Sequence, residues 1–237
     1  MRQCVYCQST PETLTRDHVF PRGWYSQFTP KSVQRWIVPC CLECNKRHGE
    51  NEESLLVRFG LALDPGDPEF RDIIEKANRS IVAAAATSNQ DPEYREKLLL
   101  KLRDELLTGG AELAEHALVL RDGSWAGQDG QFTALQIDKR ALDTLATKLA
   151  IGLTYWDEKT ILSGSYSLTV SPVNEPDPKI NEFLSSSGRE VSGGPSIYAL
   201  WGFHPRAPNH RVYYFEIFRL IRIYVVGIPS PHEVDQT

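Results

Sequence analysis

All five cysteines of this 237-residue chain lie in its first 44 residues, at Cys4, Cys7, Cys40, Cys41 and Cys44, and none follows. Thiols scattered for packing would not cluster in this way. Cys4-Val-Tyr-Cys7 and Cys41-Leu-Glu-Cys44 are two C-x2-C knuckles. Each offers two thiolates to adjacent corners of a tetrahedral zinc ion, and together they complete one four-cysteine structural site. A disulfide framework is the poorer reading, because Met1-Arg2-Gln3-Cys4 carries no basic-then-apolar leader of the secretory kind. The expected location is therefore cytoplasmic. Two redox pairs are the remaining alternative. Cys40 is surplus, and Cys41 is preferred over it as a ligand because its gap to Cys44 repeats that of the first knuckle.

The knuckles are separated by residues 8–40, too many for a short zinc ribbon, so a folded insert is expected between them. It contains Leu14-Thr15-Arg16-Asp17-His18-Val19-Phe20-Pro21, and Asn45-Lys46-Arg47-His48-Gly49 follows the last cysteine. Alternate residues of a strand point to opposite faces, so Asp17 and His18 approach a shared ion only at a strand end or bend. Asp17 supplies a hard oxygen suited to Mg²⁺ or Mn²⁺, and an imidazole with a pKa of about 6.5 is suited to taking a proton from water. Pro21 turns the chain out of the strand.

In this order, the first knuckle, Asp17-His18-x2-Pro21, the second knuckle and Asn45 resemble the zinc-stabilised HNH endonucleases, or ββα-metal nucleases. The resemblance covers about the first 58 residues. It implies a β-hairpin bearing Asp17 and His18 packed on a helix that begins near the second knuckle. It also implies His18 as the general base, and Asp17 and Asn45 as ligands of a catalytic Mg²⁺ or Mn²⁺ beside the structural zinc. His48, three residues after Asn45, has two roles open to it: a phosphate contact or a further metal ligand. Arg22, Lys46 and Arg47, with Lys31, are candidate phosphate contacts flanking the site. Nucleic acid is the implied partner, DNA ahead of RNA.

Two features depart from the family pattern. The middle HNH residue, usually Asn or His, should fall near Trp36, and Gln34-Arg35-Trp36-Ile37-Val38 contains neither. The lysine that commonly follows Cys-Asn-x-x is His48. These departures keep a second function class open, a non-catalytic zinc module that binds nucleic acid or protein.

Net charge is −5, which argues against a polyanionic partner for the chain as a whole. Its distribution is uneven. Residues 1–60 hold eight Lys/Arg against six Asp/Glu, or +2, leaving −7 for the remainder. A polyanion should therefore meet the N-terminal segment. At 41% hydrophobic and 24% charged residues the chain has enough apolar material for a core, which excludes disorder. The most apolar stretches, residues 55–63 and 212–228, are interrupted by arginines and Glu216, which excludes a membrane span.

The expected fold class is α+β, in three stretches: the ββα-metal zinc module over 1–60, a helical segment over 61–115, and an α+β C-terminal region over 116–237 to which no chemistry is assigned. That region is read first as a scaffold that packs against or shields the nuclease module and second as a selector of targets or of a protein partner. Ser54–Phe59 reads as a short helix separate from the one after the second knuckle. Asp64-Pro65-Gly66-Asp67-Pro68 breaks it. Apolar spacing predicts a helix from Phe70 past Ile81, another from Asp91-Pro92 to Gly109, and a third from Asp138 to about Trp156. Strands are expected at 117–120, 132–137, 196–203 and 212–226, with 184–194 as a mobile loop.

Overall fold

The computed structural model describes residues 3–82, 92–108, 117–119, 132–162 and 164–230, and the fold is α+β. Strands β1 (Thr15–His18) and β2 (Ile37–Cys40) form a two-stranded antiparallel sheet with Thr15 opposite Cys40 and His18 opposite Ile37. Cys41 then caps α1 (Leu42–Ala62), its sulfur accepting from the Cys44 amide. This helix runs unbroken through Gly49, so Ser54–Phe59 is its second half. The buried run Leu55–Ala62 binds that half to the core, which outweighs the cost of one exposed glycine in a helix.

After a 3₁₀ turn at Pro68–Phe70 come α2 (Arg71–Ile81) and α3 (Pro92–Asp104). The helix expected to reach Gly109 stops at Asp104, and Leu106–Thr108 is strand β3. It pairs with β5 (Phe132–Gln136), which also pairs with β4 (Ala117–Val119). The stretches expected to be helix beyond Val82 and strand at Leu120 lie outside the described residues. Helix α4 (Lys139–Glu158) begins where expected, with the Asp138 carboxylate accepting from the Arg140 amide, and ends at Lys159 in the left-handed conformation.

The remaining strands build one antiparallel sheet in the order β6-β10-β9-β8-β7, from β6 (Tyr166–Val173), β7 (Arg189–Ser192), β8 (Ile197–His204), β9 (Ala207–Ile217) and β10 (Ile221–Pro229). Residues 184–192, expected as loop, are almost wholly helix and strand. Helix α5 (Pro178–Ser187), capped by the Asp177 side chain, occupies the first part and β7 the second. The sheet explains why. One face carries Trp201, Tyr213, Phe215, Ile223 and Val225 into the main core; the other carries Leu200, Val212, Tyr214 and Tyr224. That second apolar face needs a cover, and Leu184 of α5 packs on it.

The main core draws residues from all three sequence stretches: the zinc-knuckle hairpin, the helices and the large sheet. Helix α4 runs through its middle, packed on α1, β2, β6 and β10. Gly152 permits its close approach, since a Cβ there would meet the Val19 methyls at 3.0 and 3.1 Å. No helix among the described residues is long and apolar enough to cross a membrane.

Candidate metal centre and the Asp17-His18 strand

The first knuckle is a tight turn closed by the Cys4 amide on the Ser9 carbonyl, and the Val5 amide pins it to Pro39 of β2. The second knuckle is the N-terminus of α1. These two anchors bring the ligand atoms of Cys4, Cys7, Cys41 and Cys44 within 4.8 Å of one another. The Cys7 and Cys41 sulfurs are 3.7 Å apart. Zinc–sulfur bonds of about 2.3 Å place two corners of a tetrahedron about 3.8 Å apart, so the cluster fits a metal such as zinc. Hydrogen bonding with Ser9 holds the Cys7 thiol down at about 6, while burial pushes Cys44 up. Arg47 donates to the Cys44 sulfur at 3.5 Å, a cation facing a would-be thiolate. Cys40 stays off the cluster, donating its thiol to the Cys41 carbonyl at 3.2 Å.

The period of β1 sends Asp17 and His18 to opposite faces. Asp17 is 7% exposed and faces inward with Thr15. Its Oδ2 accepts from the Tyr6 hydroxyl at 2.9 Å, and the Lys148 ammonium of α4 lies 3.1 Å from the same oxygen and 3.3 Å from Oδ1. Lys148, 1% exposed, also donates to the His18 carbonyl at 2.8 Å and to Glu52 of α1. One ammonium thus faces two carboxylates. Burial pushes Glu52 up to about 7 against the pull of Lys148 in the other direction. Burial and then the Asp17 charge hold Tyr6 well above the usual phenol range.

His18 is half-buried on the other face. Burial first, and then Lys148, Arg22 and Arg35, lower its pKa below 6.5 despite the opposing effect of Asp17, so the imidazole is neutral at neutral pH. Asn45, in the first turn of α1, donates from Nδ2 to the Thr15 hydroxyl at 2.9 Å, which in turn donates to the Cys40 carbonyl at 2.8 Å. Asn45 therefore meets the same face of β1 as Asp17, two residues along the strand, with each side chain bound to its own partners. His48 is buried one turn further on, edge-on to the Tyr6 ring at 4.6 Å. Burial and then Lys148 push it down to about 4, and its Nε2 has no hydrogen-bond partner among the described residues. Arg22 and Lys46 are exposed, Lys46 lying 3.9 Å from Glu50.

Trp36, where the family pattern has Asn or His, is buried and stacked on Trp156 of α4 at 4.2 Å, and its carbonyl accepts from the Val19 amide at 2.9 Å. The strand end carrying His18 is thus held by indole packing and a backbone hydrogen bond. Tyr6, Glu52 and Lys148 escaped the sequence reading. Only Lys148 left a trace there, as a charge inside the apolar stripe Leu145, Leu149, Gly152. Comparisons with protein-family models, with curated proteins and with solved structures find no match for this chain.

Proposed function

We propose that the chain is a metal-dependent endonuclease of the HNH kind, hydrolysing phosphodiester bonds of nucleic acid, DNA ahead of RNA, with a structural zinc ion in the four-cysteine cluster. The observation that carries this reading is convergence. The cluster, the Asp17-His18 strand and Asn45 in the first turn of α1, spread over residues 4–45, belong to one small unit. His18 is the general base: a neutral, half-exposed imidazole at a strand end, able to take a proton from water attacking phosphorus. Backbone pairing of Val19 with Trp36 and the Lys148 contact to the His18 carbonyl hold that residue in position.

The family pattern assigns a magnesium or manganese ion to Asp17 and Asn45. As these residues sit, the set does not fit such an ion, because the Lys148 ammonium occupies the Asp17 carboxylate and Asn45 is tied to Thr15. That ion pair favours a second reading, a zinc-stabilised module that binds nucleic acid or protein without cutting.

Plasmid nicking separates the two. Purified protein incubated with supercoiled plasmid and Mg²⁺ or Mn²⁺ should nick it, and His18→Ala should abolish nicking at unchanged zinc content. Plasmid binding that is equal in the wild type and His18→Ala, with no cleavage under either ion, would leave the module and remove the enzyme.

A further inference from the structure

Helices α1 and α4 diverge beside the candidate site and leave a cavity of about 470 Å³, walled by Arg47, His48 and Asn51 on one side and Thr144, Thr147 and Lys148 on the other. Arg47, Asn51 and Thr144 also line a second cleft of about 550 Å³ between α1, α3 and α4, so the two form one furrow. Six Lys/Arg and three Asp/Glu line it, +3 in a chain of −5. Some of that charge is spent internally: Arg58 pairs with Glu105, Lys97 with Glu93, and Lys148 with Asp17 and Glu52. Arg140 faces the furrow with no carboxylate partner among the described residues, and Arg47 lines it while one guanidinium nitrogen donates to the Cys44 sulfur.

His48 gives the cavity an unpaired buried polar group in its wall. It is 5% exposed and lines the cavity, and its Nε2 has no partner among the described residues. A buried nitrogen without a hydrogen bond costs about 1–3 kcal/mol, which a bound group would recover. The cavity offers an imidazole N–H, two threonine hydroxyls and a guanidinium, a set of donors that matches phosphate oxygens. Tyr94, 42% exposed, adds an aromatic surface in the adjoining cleft.

We propose that this furrow binds single-stranded nucleic acid, with one backbone phosphate in the cavity on His48, Thr144, Thr147 and Arg47, a neighbouring phosphate on Arg140 and a base stacked on Tyr94. A cleft of this volume is sized for a single strand or its end. The proposal rests on the nucleic-acid reading above and adds to it a surface that holds a single strand, including one exposed where supercoiled DNA melts locally.

The test is fluorescence anisotropy of labelled oligodeoxythymidylate and of a labelled duplex, titrated with the full chain without added Mg²⁺ or Mn²⁺ over a series of salt concentrations. The single strand should bind more tightly than the duplex. Arg140→Gln should flatten the slope of log affinity against log salt by about 0.7, the value of one phosphate contact to a single strand. Tyr94→Ala should weaken binding about fivefold or more. Thr147→Val should also weaken it, whereas Arg206→Gln, at an exposed arginine outside the furrow, should match the wild type. Duplex preference, no binding by the wild type, or wild-type binding in all three furrow variants overturns the proposal. A protein that binds through the furrow yet never nicks plasmid fails only the endonuclease reading. One that nicks while the furrow variants bind normally fails only this one.

Discussion

Lys148 of α4 and Asp17 of β1, separated by 131 residues of chain, form an ion pair of 3.1 Å with 1% and 9% of their side chains exposed. The pair ties the hairpin that bears His18 to the helix at the centre of the core. A buried pair of this kind offers little net stability over an apolar replacement, but breaking it from one side is costly.

Lys148→Met should therefore destabilise the protein by about 3–5 kcal/mol in urea unfolding, because Asp17 and Glu52 are left buried without a counter-charge. Adding Asp17→Asn and Glu52→Gln should recover much of the loss. A single-variant effect below about 1 kcal/mol, the range of an exposed pair, would show that the ammonium is solvated rather than buried.

Glu52 makes stability depend on pH. Its folded pKa lies near 7, above the 4.5 of an unfolded glutamate, so the folded chain binds the extra proton. Stability contributed by this group is greatest below 4.5 and is lost as pH rises toward about 7. Thermal melts of the wild type and Glu52→Gln across that window should converge at low pH and separate at high pH, the variant being the more stable there. Parallel curves would remove Glu52 as the source.

One metal ion per chain should be found by elemental analysis, and it should survive Cys40→Ser but be lost in Cys41→Ser or Cys44→Ser. Strong chelation should lower the melting temperature of the wild type, since an ion bound only by the folded chain stabilises it. Metal retained in Cys41→Ser and lost in Cys40→Ser would reassign the fourth ligand.

Gly60→Ala measures how closely α1 and α2 approach. Alanine is the better helix former by about 1 kcal/mol, but its Cβ would lie 2.3 Å from the Ala77 Cβ. Overpacking of about 1–3 kcal/mol should win, giving a lower urea midpoint. A gain in stability would mean that the two helices can separate freely.

Features set by local chemistry were legible from the sequence. The paired knuckles announced the cysteine cluster, Asp138 announced the start of α4, and the apolar run at 196–203 announced β8. The run at 212–226, read as one strand, is instead the end of β9 and the start of β10, joined by a tight turn at 218–220 where Phe218 and Arg219 take positive φ. Features set by distant surfaces were not. The serine-rich stretch before Gly188 has weak helical character of its own and folds as α5 because Leu200, Tyr214 and Tyr224 need a cover. At the candidate site, β1 alternation separates Asp17 from His18 as the strand rule requires. No local pattern, however, could reveal that a lysine 131 residues away would reach the Asp17 carboxylate.

Trp36 from the hairpin, Trp156 from α4 and Trp201 from β8 meet in a single aromatic cluster, with Trp156 stacked on Trp36 at 4.2 Å and Trp201 edge-on to it at 5.9 Å. Three of the five indoles in the chain thus report on one junction. Their coupled ultraviolet dichroism and emission form an intrinsic optical gauge of whether the N-terminal unit is seated against the rest of the molecule, readable without any attached dye.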